Sequence, residues 1–152
     1  MLAVDGVTLA AGTATTAVAL GRVGGTPALA ALPLLDDLGA PPSGQIRIRA
    51  VHAAAGIGQV DIWNIPESGA PTPLFTDLDY ASASAYAEVP AGGYTLGIDA
   101  DGDATPDLVF AIPAAALPAG TIANVFAVAP TTGSPFLVAQ FADGTTARID
   151  AE

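Results

Sequence analysis

Four carboxylates and a threonine crowd into nine residues: Asp99, Asp101, Asp103, Thr105 and Asp107. With Gly102 to turn the chain, their oxygens can converge on one cation, and their relative positions 1, 3, 5, 7 and 9 reproduce the first part of a calcium loop. A ligand set made only of oxygen selects Ca²⁺ over softer transition metals. Two features depart from that pattern. The glycine stands at relative position 4 instead of 6, and relative position 12 is Phe110, so the bidentate glutamate is missing. The competing reading is a solvated acidic turn in which Asp and Gly are present for their backbone geometry. Mutual repulsion of four carboxylates keeps the cation in play, and Ca²⁺ is the one cofactor the chain is expected to take.

Other reactive side chains are sparse. His52 is the single histidine, and a His-based triad would need a nucleophile and an orienting acid. Asp61 and several serines are present, but no serine sits in a G-x-S-x-G elbow. His52 is therefore expected to end a strand and bond a neighbouring loop. Asp77 and Asp79 flank Leu78 and should share one strand face, a spacing usable for glycoside chemistry only beside a sugar cleft. Trp63, Tyr80, Tyr86 and Tyr94 are candidates for a carbohydrate platform, but at 6% aromatics they read better as core and corner residues. No catalytic residue is expected, and a hydrolase ranks last among the functional readings.

The chain that must position these groups has 152 residues, 51% of them hydrophobic, with 17 Gly and 13 Pro. So many apolar residues exclude a disordered acidic tail, and so many turn formers exclude a helical bundle. Four Arg against 15 Asp+Glu give a net charge of -11, which repels phosphate backbones and anionic membrane surfaces alike. Nucleic acid is thus excluded as a partner, and no apolar run is long enough to span a bilayer as a helix. The absence of Cys removes disulfides and thiolate chemistry. The first residues, Met-Leu-Ala-Val-Asp-Gly, lack the basic and long apolar regions of a signal peptide, so an export signal is expected outside this sequence.

A repeat organises the chain. Residues 9–34 align without a gap on residues 117–142 at an offset of 108, with Gly12/Gly120, Thr13/Thr121, Gly25/Gly133, Pro27/Pro135 and Leu29/Leu137 among the identical pairs. One complete unit then occupies 45–152, and residues 1–37 are the C-terminal strands of a preceding unit. Residues 38–44, Leu-Gly-Ala-Pro-Pro-Ser-Gly, form a semi-stiff linker between them. In the complete unit, residues 45–51 alternate, with Ile46, Ile48 and Ala50 on one face and Arg47 and Arg49 on the other. Further strands are expected at 60–65, 74–78, 83–89, 94–99, 108–112, 121–128 and 136–141, with 145–149 pairing at an edge. Pro113 and Pro118 confine any helix to about one turn. Seven to nine strands in this length predict an all-β, immunoglobulin-like antiparallel sandwich. Residues 1–37 should carry strands at 4–9, 13–23 and 28–34. These strands either complete a neighbouring chain's sandwich, giving a swapped dimer or a head-to-tail filament, or lie on residues 45–152 as an extra layer.

Four stretches of the complete unit, residues 46–63 (IRIRAVHAAAGIGQVDIW), 78–89 (LDYASASAYAEV), 90–98 (PAGGYTLGI) and 117–128 (LPAGTIANVFAV), carry a likeness. In that order they resemble the bacterial and archaeal domain-of-unknown-function family 4397. Val51-His52-Ala53, Val60-Asp61-Ile62 and the Pro-Ala-Gly turns at 90–92 and 118–120 are its most specific elements. The chain departs from the family in the Ala-Ala-Gly-Ile-Gly that follows and in the acidic turn at 99–107. The resemblance implies an extracellular or cell-surface β-sandwich, often in tandem, and no catalytic residues. The expected function is a non-enzymatic structural or adhesive module of a repeat protein that self-associates through strands or neighbouring units. The alternative is a calcium-stabilised binding module for a glycan or protein ligand.

Overall fold

Alternation after the linker is realised as a strand over Gln45–His52, one of eleven in a computed structural model that describes residues 9–152. In chain order the strands are β1 (Ala14–Leu20), β2 (Ala30–Asp36), β3 (Gln45–His52), β4 (Val60–Asn64), β5 (Thr72–Leu78), β6 (Ala87–Pro90), β7 (Tyr94–Asp99), β8 (Leu108–Ile112), β9 (Ile122–Val128), β10 (Phe136–Phe141) and β11 (Thr146–Asp150). The strand expected at 4–9 falls outside the described residues except for Leu9, which is not in a strand. Between the two prolines the chain makes a single 3-10 turn, Ala114–Ala116. No helix among the described residues is long and apolar enough to cross a membrane.

Two sheets make a sandwich, one in the order β11-β10-β9-β3-β6 and the other in the order β5-β4-β7-β8. Ile46, Ile48 and Leu137 of the first meet Ile62, Ile98 and the fully buried Phe110 of the second in one core. Burying these faces against each other is the main favourable term in forming the unit. Tyr94 closes one corner by donating its hydroxyl to the carbonyl of Pro90 at 2.6 Å, the bond of a tyrosine corner.

Strand direction and one strand's length differ from expectation. The sheets are not purely antiparallel, because β3 runs parallel to β9 from Arg47 opposite Ile122 to His52 opposite Ala127. A hairpin would force an antiparallel pair, but here the whole second sheet intervenes and leaves the direction free. The described residues carry eleven strands; nine of them, β3 to β11, build the sandwich of the complete unit, and β1 and β2 form a two-stranded sheet of their own. The strand expected at 83–89 shortens to Ala87–Pro90. Residues 82–84 do run beside β3, through His52 N–H to Ser82 O and Ser84 N–H to Ala50 O. The Ser84 hydroxyl accepts the Ala50 N–H at 3.0 Å and so breaks the ladder.

β1 pairs antiparallel with β2, Ala14 opposite Asp36 through Leu20 opposite Ala30. Opposite residues share a face, so Thr16, Leu20, Leu34 and Asp36 lie together on one side of this hairpin. That side rests on the outward face of the five-stranded sheet, where Thr16 and Asp36 meet Arg49, Asn124 and Gln140. Leu20 and Leu34 are buried there. The hairpin is a third layer on its own chain.

Candidate functional site

The acidic loop grows out of the end of β7, where Asp99 is only 1% exposed. Gly97, one turn of the pleat earlier, makes room for it: a Cβ there would come within 2.7 Å of the Pro106 ring and 2.9 Å of Ile65 Cδ1. The loop folds back over that gap. Asp99 then acts as its hub, with Oδ1 accepting the N–H groups of Asp101 (3.2 Å) and Gly102 (2.8 Å) and Oδ2 that of Ala104 (2.9 Å). Burial pushes the Asp99 carboxyl up, but the N–H groups of Gly102, Ala104, Asp101 and Asp103 outweigh it and hold the group below the usual carboxylate range.

Asp99, Asp101 and Asp107 bring carboxylate oxygens within 4.8 Å of one another. Asp107 also caps the loop, its Oδ2 accepting Ala100 N–H at 2.8 Å. Asp103, the fourth carboxylate of the proposed ligand set, is not in this group. Asp103 instead turns back on the chain, its Oδ1 accepting Thr105 N–H at 2.8 Å. Two exposed carboxylates, Asp101 and Asp107, beside the buried Asp99 are suited to a hard cation that completes its shell with carbonyls and water.

A second polar cluster centres on Arg49, which alternation alone puts on an outward face of β3. Arg49 is buried because the hairpin covers it. Its Nη2 meets Asp36 Oδ1 at 2.6 Å, Nη1 donates to Leu35 O at 2.9 Å and Nε to Asn124 Oδ1 at 3.0 Å. The guanidinium also lies 4.5 Å from the Tyr86 ring centre. Thr16 donates to Asp36 Oδ2 at 2.8 Å, and Asn124 Nδ2 bonds both Asp36 (3.2 Å) and Gln140 (3.1 Å). Burial pushes the Tyr86 hydroxyl above its ordinary value, with Arg49 pulling it down and Asp36 pushing it up. Next to this clip, Arg47 pairs with Asp37 at 3.0 Å and with Glu88, and donates to Gly39 O at 2.7 Å. The signal for both was present as two Arg at alternate positions and an Asp36-Asp37 pair closing an apolar segment.

The remaining candidates are structural in their contacts. His52 is fully buried at the end of β3. Its Nε2 lies 2.7 Å from Gly58 O and its Nδ1 accepts Ala54 N–H at 3.3 Å, while Tyr80 packs edge-on at 5.9 Å. These partners place the ring proton on Nε2. Asp61 accepts the Asp77 N–H at 2.8 Å. Asp77 and Asp79 do not share a strand face as expected, because Asp77 takes φ 56° at a break in the β4·β5 register and Asp79 lies beyond β5. Trp63 sits on β4, Tyr80 beside His52, Tyr86 in the buried clip and Tyr94 at the corner. They stand apart and make no platform.

Residues 1–63 match the family described as Domain of unknown function (DUF4397). The chain is similar to that family over this segment, 63 of its 152 residues. The DUF4397 match runs through the hairpin, the linker, β3 and most of β4, and it includes the first of the four stretches quoted above; the other three lie beyond it. No curated protein and no solved structure matches the chain. DUF4397 therefore comes with no assigned chemistry for the loop or the clip.

Proposed function

We propose that the chain is a non-enzymatic structural or adhesive module of a secreted or cell-surface repeat protein. The observation that carries this reading is the docked hairpin. β1 and β9 differ by 108 at both ends, so strands aligned in sequence with β9 and β10, though paired two residues out of the β9·β10 register, are seated on the outside of a sandwich and pinned there by a buried ion pair. Such an arrangement serves contact between modules. The sole histidine supports the same view, since both its ring nitrogens are engaged by backbone groups inside the fold. Self-association through strand exchange is the weaker form of the reading, because β1 and β2 pair with each other and seat on their own molecule. Surface location rests on the family resemblance and is tested by antibody raised against the purified chain. Labelling of intact cells of the source organism, or recovery from the medium, is expected; labelling only after permeabilisation contradicts it.

A calcium-stabilised binding module for a glycan or protein ligand is the second reading. It is favoured by the convergence of Asp99, Asp101 and Asp107. Thermal unfolding in Ca²⁺ and in chelator tests it, on the parent and on Asp101→Asn/Asp107→Asn. A rise in Tm with Ca²⁺ that the variant lacks supports the site, whereas identical curves reduce it to an acidic turn.

A further inference from the structure

The hairpin has a second face, and the repeat says what that face is for. At an offset of 108, Thr15, Ala17 and Ala19 of β1 correspond to Ala123, Val125 and Ala127 of β9, and Leu29 and Ala31 correspond to Leu137 and Ala139 of β10. In β9 and β10 these positions point into the sandwich: Leu137 is 2% exposed, and Ala123 and Ala139 are buried with it. On the hairpin the same positions point away from the molecule, because the alternate residues Thr16, Leu20, Leu34 and Asp36 face the chain's own sandwich. Ala17, Ala19 and Pro33 are exposed, and Leu35 is 65% exposed. The large exposed hydrophobic residues among the described residues, Leu9, Val23, Leu29, Leu35 and Leu38, all precede residue 45. Of these Leu35 lies on the outward side of β2, with Ala17, Ala19 and Pro33, and an exposed apolar strand face of this kind suits a contact surface.

The edge of the hairpin repeats the argument. β9 has two neighbours, β10 on one side and the parallel strand β3 on the other. β1 has only β2 among the described residues. Among the described residues, the side of β1 without a ladder corresponds to the side on which β9 takes β3.

We infer that the outward face of the β1–β2 hairpin is the core face of a second sandwich. Its occupant is a sheet of the β5-β4-β7 kind, with a β3-like strand adding in parallel to the edge of β1 that carries no ladder among the described residues. This rests on the reading of the chain as part of a repeat protein and goes beyond it in naming the joint. Successive sandwiches share no strands but stack through the outward faces of their larger sheets, with Asp36 and Arg49 as the pin. A folded second copy cannot be the occupant, because its own four-stranded sheet is already covered by its own five-stranded sheet. The fitting occupant is a segment patterned like residues 45–108, supplied ahead of residue 1 in the same polypeptide.

Fusing residues 45–108 ahead of Met1 gives two full periods, 216 residues, for comparison with the 152-residue chain. Each is prepared with and without Ala19→Asp, and the dye ANS reports exposed apolar surface. In the 152-residue chain Ala19→Asp is expected to shift Tm by under about 2 °C, as exposed substitutions do, and in the fusion by about 5 °C or more. The fusion is also expected to lose the ANS signal of the shorter chain and to protect amides in its added residues from exchange. Equal shifts in both proteins overturn the inference. So does an added segment that exchanges as an unstructured chain. Neither result bears on surface location, which cell labelling reads separately, so the two failures are distinguishable.

Discussion

Asp99 carries a charge inside a loop that has little water around it, and its backbone donors keep that charge favoured. A carboxyl held below its ordinary range in the folded state binds its proton less readily there than in the unfolded chain. The stability it contributes is therefore complete above the unfolded value, near pH 4, and is lost as pH falls through the folded value. Asp143, held low chiefly by the Thr145 hydroxyl and also by the Thr145 N–H, acts in the same direction. Melting temperature measured from pH 6 down to pH 2 is expected to fall steeply at the acid end for the parent and less steeply for Asp99→Asn. Parallel acid limbs in the two proteins contradict the role given to Asp99. Arg49 poses the opposite problem, a buried cation whose partner is nearly enclosed with it, the two side chains being 7% and 10% exposed. Removing one member strands the other. Arg49→Met is expected to cost about 3 kcal/mol in urea unfolding, and Arg49→Met/Asp36→Asn to recover at least half of it.

Strand by strand, much of the fold was legible. Alternation located β3, and short apolar runs between Gly and Pro turns located β4, β7, β8 and β10 to within a residue or two. What pattern cannot supply is what lies on the far side of a face. Arg47 and Arg49 were placed on the correct side of β3, but only the distant hairpin turns that side into an interior. The direction of β9 against β3 is hidden for a related reason, since no local turn joins strands some 70 residues apart. In the acidic loop the spacing grouped five residues, of which Asp99, Asp101 and Asp107 bring their carboxylates together. It did not show that Asp103 would be spent on Thr105 N–H, because Asx turns compete for the same oxygens. The loop also depends on a residue outside it. Gly97→Ala drives a methyl into Pro106 and Ile65 and is expected to destabilise by about 1 to 3 kcal/mol, measured by urea unfolding. A neutral substitution would mean that the loop does not rest on β7.

At the scale of the molecule, three layers follow from one arithmetic. A hairpin homologous in spacing to β9 and β10 cannot join the finished five-stranded sheet at β9, whose two edges are already taken by β3 and β10. It lies instead across the outside of that sheet, apolar at Leu20 and Leu34 and ionic at Asp36. This docking lies within one chain, and the absence of cysteine makes it directly measurable. Ala14 on β1 and Ala142 beyond β10 line the same cleft between hairpin and sandwich. With Ala14→Cys/Ala142→Cys at micromolar concentration, a short bis-maleimide is expected to link the two positions within a single chain, leaving the mass of a monomer. Cross-linked dimers in place of that product would show that the hairpin seats on a neighbour, and would contradict the account.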